Sequence, residues 1–459
     1  MRRTRLLLAA AVTAALIAPV VPGLAAESLV APVLAHHRLT VGVPLVAELA
    51  PGDRLVGVTW QRGHATVEVR WETALGWSPW ETQESEPGAT DVPDGDRGVR
   101  PGTEPAWRPR GVDRVEVRVT RGDPVHPQLV VVGERRTRRW VAAAPAYAAA
   151  TTTGEERLGP VVSRAGWGAD ESIRKRPTYQ PRVDAVVVHH TVNANDYAAE
   201  EVPGIVRAIY AYHARGRGWD DIAYNFLVDR FGRVYEGRAG GFRTRAIKGS
   251  HTGGFNERTV GVAMIGNLDV AAPEAPMVEG VARVTAWAAD RWGFDPRGSI
   301  ALTSRGSTRY PAGRTVSVPR MLGHRDLSAT ACPGGQAYPL LSAWRDRTWR
   351  LLAPVITDVV VDGAPVHSPE PVHIRARLTA PASWTITVTT PYAGLVVTSS
   401  SGNGDQPRLE WDGRIGGLPA APGDYQWTAT ADDGVHGPSD PVSGIVQVGV
   451  ARRFNPPTG

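Results

Sequence analysis

Short runs in which apolar and polar residues alternate, each closed by glycine or proline, fill both ends of this chain, and helical spacing appears only between them. Near the start, Leu55-Val-Gly-Val-Thr-Trp60, Ala65-Thr-Val-Glu-Val-Arg-Trp71, Arg114-Val-Glu-Val-Arg-Val-Thr120 and Leu129-Val-Val-Val132 read as strands separated by turn-rich stretches such as Glu86 to Pro105. A period of two sends successive side chains to opposite faces, so such strands bury one face and solvate the other. The pattern returns in Val372-His-Ile-Arg-Ala-Arg-Leu378, Trp384-Thr-Ile-Thr-Val-Thr389 and Asp424-Tyr-Gln-Trp-Thr-Ala-Thr430. With 50 Gly and 38 Pro in 459 residues, strand-rich architecture is favoured over long helical bundles for much of the length, and an all-β sandwich is expected at each end. Trp71, Trp77, Trp80 and Trp107 are candidates for a sugar-binding surface or for buried core aromatics, burial being the commoner role.

The middle of the chain has a different rhythm. Asp184 to His189 is a β-branched run suited to a buried strand, and Val202, Ile205, Val206 and Ile209 follow helical spacing. Tyr224 to Val228 and Thr259 to Ile265 read as further strands, while Val278 to Trp292 and Ala337 to Leu352 read as helices. An α/β domain is expected here. A basic cluster from Arg135 and the small-residue run Ala142 to Gly154 bury little and read as a linker. The expected organisation is a β-rich N-terminal domain over 27–134, a linker over 135–157, the α/β domain over 158–352 and a β-sandwich over 353–459.

The chain opens Met1-Arg-Arg-Thr-Arg5, continues with an apolar run from Leu6 to Leu24 and reaches Ala25-Ala-Glu27, the pattern of a secretory signal peptide over 1–26. Pro19 and Pro22 argue against a retained span, and no later segment approaches ~20 apolar residues, so a secreted protein without a transmembrane anchor after signal cleavage is expected. The net charge of +5 comes from 51 basic and 46 acidic residues dispersed along the chain, so nucleic-acid binding is not implied. Cys332 is the only cysteine, which excludes an intrachain disulfide and leaves stability to apolar cores. A lone thiol in an exported protein is either buried and inert or held by chemistry.

Three segments bear on that choice: Val186-Val-Val-His-His-Thr191, Tyr224-Asn-Phe-Leu-Val228 and Gly323-His-Arg-Asp-Leu-Ser-Ala-Thr-Ala-Cys-Pro-Gly334. A catalytic Zn²⁺ takes about three nitrogen or sulfur ligands and keeps one position open, and His189, His324 and Cys332 supply that set. Taken singly, a buried histidine is usually a hydrogen-bonded core residue and a cysteine a small apolar one. Cys332, however, lies in a Thr-Ala-Cys-Pro-Gly turn rather than an apolar stripe.

The ordered landmarks Ser163-Arg-Ala-Gly-Trp167, His189-His-Thr191, Gly218-Trp-Asp-Asp-Ile-Ala-Tyr-Asn-Phe226, Arg233-Val-Tyr-Glu-Gly237, Ser250-His-Thr252 and Gly323-His-Arg-Asp326 resemble the peptidoglycan recognition protein and type-2 N-acetylmuramoyl-L-alanine amidase family, as found in exported multidomain bacterial enzymes. The resemblance implies a mixed central sheet flanked by helices. It also implies zinc on His189, His324 and Cys332, and hydrolysis of the amide between the muramic acid lactyl group and the L-alanine of the peptidoglycan stem. The family's metal histidine matches His189 rather than His190, which points to the other face of a strand. Its catalytic tyrosine matches Tyr224. Some phage relatives carry Lys two positions before the metal cysteine, where this chain has Thr330, so the division of acid/base work between Tyr224 and Thr330 stays open.

The resemblance also places His213, Trp219, His251 and Asn256 along the muropeptide groove, and Arg245 in the segment that distinguishes lysine from diaminopimelate stems, where a guanidinium can pair with the extra carboxylate. Many animal relatives bind peptidoglycan without cleaving it and lack the ligand matching Cys332, so a binding-only protein is the first alternative and a zinc peptidase the second. The segment Leu409-Glu-Trp-Asp-Gly-Arg414, followed by Pro422-Gly-Asp-Tyr425, resembles the immunoglobulin-like domain of flagellar hook-capping proteins. Contacts with cell-wall polymers are expected from the flanking β domains.

Overall fold

The structure, a computed structural model, describes residues 24–86, 99–142, 157–354, 356–362, 371–439 and 441–448. In the N-terminal region, strands Leu24–Arg38, Asp53–Thr59 and Gln128–Ala142 form one antiparallel sheet, extended by the short pieces Ser85–Glu86, Gly102–Thr103 and Ala106–Trp107. Leu45–Glu48, Ala65–Thr73 and Arg114–Gly122 form a second, with Gly76–Trp77 and Glu81–Gln83 at its edge. The alternation seen in the sequence is realised as burial. Val56, Val58, Leu129 and Val131 of the first sheet share one apolar core with Val67, Val69, Trp71, Val115, Val117 and Val119 of the second. Trp71 is thus a core residue, whereas Trp77 and Trp80 lie outside it, and the Arg70 guanidinium rests 4.4 Å from the centre of the Trp80 ring.

Residues 1–23 of the expected leader lie outside the described residues, and the first strand begins at Leu24, before the expected cleavage point. That strand pairs along its whole length with Gln128–Ala142. The linker expected from residue 135 is therefore shortened, because 135–142 continue the sheet. Antiparallel pairing needs only main-chain N–H and C=O groups, and Thr137, Trp140 and Val141 favour extended backbone despite the four arginines among them.

The middle region is built on a six-stranded mixed sheet in the order Val161–Val162, Val234–Glu236, Phe226–Val228, Thr259–Met264, Ala185–His190, Met321–Gly323. All pairings are parallel except that of Phe226–Val228 with Val234–Glu236. On one face, Val186, Val188, Val260 and Val262 pack against the helices Ala275–Trp292 and Leu341–Arg350 through Val281, Val284, Leu341 and Trp344. On the other, Leu227 and Ala263 pack against Val202–Ala211 through Val202, Val206 and Ile209. Helices Val202–Ala211 and Ala275–Trp292 begin with proline in the first turn, where its missing N–H costs nothing, and Ala275–Trp292 ends on Gly293 in the left-handed conformation.

The N-terminal sheets do not stand apart from this region. Val130 and Val132, on the face of their strand opposite Leu129 and Val131, bury with Leu55 against Ala208, Ala211 and Tyr212. The Tyr212 hydroxyl donates to the Thr103 carbonyl at 2.8 Å, and Arg100 N–H donates to Arg217 O at 2.8 Å. Glu134, held by Arg54 of its own sheet, accepts from Arg207 across the junction. Only glycine fits at position 57, because a Cβ there would lie 2.2 Å from the Tyr212 hydroxyl oxygen.

In the C-terminal region a three-stranded sheet of Ile356–Asp362, Val372–Leu378 and Arg408–Trp411 and a four-stranded sheet containing Ala382–Thr389 and Gly423–Asp432 share a core that includes Val372, Ile374, Ile386, Val388, Trp411 and Trp427. No helix among the described residues is long and apolar enough to cross a membrane.

Candidate functional site

The site forms where the Ala185–His190 strand ends between its two parallel neighbours. Alternation sends Val186 and Val188 to the helical core on one face and Ala185 and Val187 to the other, so His189 and His190 part company. His190 turns to the first face, where its Nδ1 accepts from the Leu268 N–H at 3.2 Å. His189 turns to the second, toward Tyr224.

The next strand delivers the second ligand candidate. Met321–Gly323 runs directly into a single 3₁₀ turn, His324–Asp326, held by Asp326 Oδ2 accepting from Gly323 N–H at 2.9 Å and by Tyr338 donating to Asp326 Oδ1 at 2.5 Å. The chain then returns so that Arg325 N–H donates to Cys332 O at 2.9 Å, and the Arg325 guanidinium donates to Ala331 O. This closes the loop with Cys332 Sγ 3.6 Å from His189 Nδ1. His189, His324 and Cys332 are all buried, with exposures of 1%, 7% and 7%, and one ligand atom from each lies within 4.8 Å of the others. Two imidazoles and a thiolate without a carboxylate suit zinc and disfavour hard cations such as Ca²⁺ and Mg²⁺.

Burial is the main cause that holds the histidines neutral. It pushes His189 well below the ordinary value, helped by His324, His251 and His190. His324 is lowered to about 3 by burial and then by His190, and His251 to about 3 by burial, His324 and Arg238. Neutral imidazole is the form that ligates a metal.

Behind the candidate ligands sits a support. His189 Nε2 is 3.0 Å from His251 Nδ1, and the far nitrogen of His251 is 3.5 Å from Thr259 Oγ1, which donates to Phe255 O at 2.7 Å. The His251 ring is seated on two glycines, since a Cβ at Gly261 would come within 2.4 Å of it and one at Gly249 within 2.5 Å. Asn256 Oδ1 accepts from the His251 and Thr252 N–H groups at 2.7 and 2.8 Å, fixing that loop.

Tyr224 lies just ahead of the Phe226–Val228 strand, with its ring 5.3 Å from that of His189. His213 follows at 5.9 Å from Tyr224 and stacks on Trp219 at 4.6 Å. Burial, then Arg217 and Arg238, keep His213 well below its ordinary value. The structure thus gathers His189, His324, Cys332, Tyr224, His213, Trp219 and His251 and places Asn256 behind His251. Arg245 is exposed and lies over the Tyr179 ring. The Thr330 hydroxyl donates to Glu84 Oε2 at 2.5 Å and accepts from Cys332 N–H at 3.0 Å. The landmark Arg164 is structural, its buried guanidinium paired with Asp221 and Glu171.

Two contributors come from the N-terminal region: Trp107, singled out in the sequence only as one of four candidate aromatics, and Glu84, which the sequence does not mark. Trp107 packs with Val99 against the cluster holding Tyr224 and Trp219, and its Nε1 donates to Thr191 O at 3.0 Å. Glu84 grips the residues just before Cys332. Both flank the turn-rich stretch from Glu86 to Pro105, and the tryptophan at its edge is the one available signal.

A family model described as N-acetylmuramoyl-L-alanine amidase matches residues 179–335. Peptidoglycan recognition protein 1 of Bos taurus is 30% identical over 187 residues, which cover 40% of this chain and 84% of that protein. The chain belongs to the peptidoglycan recognition protein and type-2 amidase family. Within this family, peptidoglycan-recognition protein 1 of Holotrichia diomphalia is 28% identical over 204 residues, 44% of this chain and 90% of that relative. The solved structure of Drosophila PGRP-LB aligns at 25% identity over 40% of this chain and 94% of its own, with a TM-score of 0.32. These matches cover less than half of the chain, so family membership resides in the middle region that carries the His-His-Cys cluster.

Proposed function

We propose that the protein is an exported, zinc-dependent N-acetylmuramoyl-L-alanine amidase. In this reading a signal peptide spans 1–26, and an α/β catalytic domain over 158–352 lies between a β-sandwich that starts at 27 and an immunoglobulin-like sandwich over 353–459. The observation that carries the reading is the convergence of His189, His324 and Cys332 in one buried cluster beside Tyr224. A cysteine positioned to complete a ligand set favours turnover over recognition alone.

His189, His324 and Cys332 would hold Zn²⁺, which when bound would supply Lewis acidity and an activated water near neutral pH. The chain's own residues do the rest. His251 fixes the ring of His189 through Nε2, so the opposite nitrogen keeps its aim. Tyr224 places a phenol beside His189, able to donate to the carbonyl oxygen of the scissile amide as charge builds there, a contribution of about 10²–10³-fold in comparable oxyanion sites. His213 and Trp219 extend the aromatic wall along which the sugar and the stem would lie. Arg245 on the outer loop is the candidate partner for a diaminopimelate carboxylate. Thr330 serves the loop rather than the proton, because its hydroxyl hydrogen is directed at Glu84.

The test is mass spectrometry of purified peptidoglycan digested by the protein, with and without a chelator and beside Cys332→Ala. Stem peptides beginning with alanine, lost in the chelated and Cys332→Ala samples, are expected. Intact glycopeptide that co-sediments with the protein would mean recognition without cleavage, and cuts between stem residues would mean a peptidase.

A further inference from the structure

From the contact between the N-terminal sheets and the loop before Cys332, we infer that Glu84 is a positioning residue of the site, so that the N-terminal β region completes the metal-binding loop instead of serving only as an appended module. The inference rests on the amidase reading for its chemical meaning and on geometry for its substance.

Glu84 lies between the Glu81–Gln83 and Ser85–Glu86 strands, on backbone fixed at several points. Its carbonyl accepts from Glu104 N–H at 2.8 Å, the Ser85 hydroxyl donates to Ala65 O at 3.0 Å, and the two flanking strands pair with different sheets. From this mount the carboxylate reaches the middle region with both oxygens. Oε2 accepts from the Thr330 hydroxyl at 2.5 Å and Oε1 accepts from the Ala331 N–H at 2.8 Å.

The two groups held are the two residues immediately ahead of Cys332. With its hydrogen directed at Glu84, the Thr330 oxygen turns a lone pair to the Cys332 N–H at 3.0 Å. A continuous chain of polar contacts thus runs from one region's carboxylate to the backbone of the other region's ligand. From the opposite side Arg325 takes the Ala331 and Cys332 carbonyls. The loop has no regular secondary structure, so these two grips, together with the Thr308 hydroxyl accepting from Ala329 N–H at 2.9 Å and the His190 N–H donating to the sulfur itself at 3.4 Å, set where Cys332 presents its sulfur.

The mount itself is well braced. Tyr212 on Thr103, Arg217 on Arg100 and Trp107 on Thr191 pin the same side of the N-terminal region to the middle region, and the Leu55, Val130 and Val132 contact buries the rest of the junction. A carboxylate on a free tether would hold two loop groups only fleetingly; one on this scaffold holds them in register.

The full chain and its Glu84→Ala and Glu84→Gln variants are compared in three ways: zinc affinity by chelator competition, the sulfur-to-metal charge-transfer band after cobalt substitution, and thermal melting. Glu84→Ala is expected to weaken zinc about tenfold and to shift the cobalt band, because outer-shell partners of metal ligands typically govern 10–100-fold in affinity. Glu84→Gln, which keeps one acceptor, should fall between Glu84→Ala and wild type. The loss from Glu84→Ala should shrink in a Thr330→Val background, where half of its grip is already gone. Wild-type zinc affinity with an unshifted cobalt band in Glu84→Ala, or an equal loss in both backgrounds, would overturn the inference. Both readouts are independent of turnover, so failure of the wild-type protein to release stem peptides would sink the amidase reading alone.

Discussion

Replacing His251 tests whether a support behind His189 governs the metal affinity proposed for the His189, His324 and Cys332 cluster. His189 presents Nδ1 toward Cys332 Sγ, which leaves Nε2 to carry the ring hydrogen and His251 Nδ1, 3.0 Å away, to accept it. The tautomer of His251 follows: its own hydrogen is on Nε2, facing Thr259 Oγ1. His251→Leu keeps a similar volume on Gly249 and Gly261 but leaves the His189 N–H with only the Thr252 hydroxyl, 3.4 Å away, in a pocket where both side chains are about 97% or more buried. A buried donor left with no good partner costs up to about 1–3 kcal/mol, and the long contact to Thr252 recovers part of it. That converts to roughly 5–150-fold in zinc affinity at 1.4 kcal/mol per tenfold, and it overlaps the 10–100-fold expected when a ligand's outer partner is lost. His251→Asn places an amide oxygen near the position of Nδ1 and should recover most of the loss. The assay is zinc competition with a chromophoric chelator at pH 7.5, with melting curves to certify folding. Zinc affinity within threefold of wild type for His251→Leu, or equal losses for Leu and Asn, would refute the proton assignment and the supporting role together.

Other expectations follow from the same geometry. Tyr224→Phe removes the phenol beside His189 and should lower kcat by about 10²-fold while zinc content stays at wild-type stoichiometry; a kcat within threefold would take Tyr224 out of the chemistry. Gly57→Ala drives a methyl group to 2.2 Å from the Tyr212 oxygen and should cost about 1–3 kcal/mol in chemical denaturation; an unchanged midpoint would mean that the junction is looser than described. His213 is kept neutral by burial, Arg217 and Arg238, whereas an unfolded chain protonates it near 6.5. Below that pH the unfolded state binds a proton that the folded state refuses, so stability falls with falling pH, by at most about 1.4 kcal/mol per unit from this side chain. His213→Gln should therefore flatten the decline in urea midpoint between pH 7 and pH 5, and an unaltered slope would count against a neutral buried His213.

Much of this was legible in the residues because the governing rules are local. A period of two identified the strands that build both terminal cores, and the same rule separated His189 from His190, since adjacent strand residues cannot share a face. Helix Val202–Ala211 starts at the predicted Val202, and Ala275–Trp292 only three residues before the predicted Val278, because their apolar stripes meet a flat sheet. The roles of His251 and Asn256 were harder to see. His251 lies in the Ser250-His-Thr252 landmark and Asn256 just beyond it, but whether a polar side chain faces the groove or the back of a candidate ligand depends on packing that no spacing encodes, such as the two glycines beneath the His251 ring.

The junction is the instructive failure, because one clue to it was present. A strand that buries a single face needs alternation, as Arg114–Gly122 shows, but Leu129-Val-Val-Val132 is apolar at four consecutive positions. Leu129 and Val131 satisfy the N-terminal core; Val130 and Val132 have no place in it and would be left in water by a freely tethered module. Something must cover them, and the helix ending in Ala208, Ala211 and Tyr212 does. Once those valines are covered the N-terminal region has a fixed orientation, and Glu84 and Trp107, on either side of the turn-rich stretch, are brought against the residues just before Cys332 and against Thr191 respectively. The apolar excess in one strand thereby determines which carboxylate stands beside Cys332, two steps removed from any motif that names the chemistry.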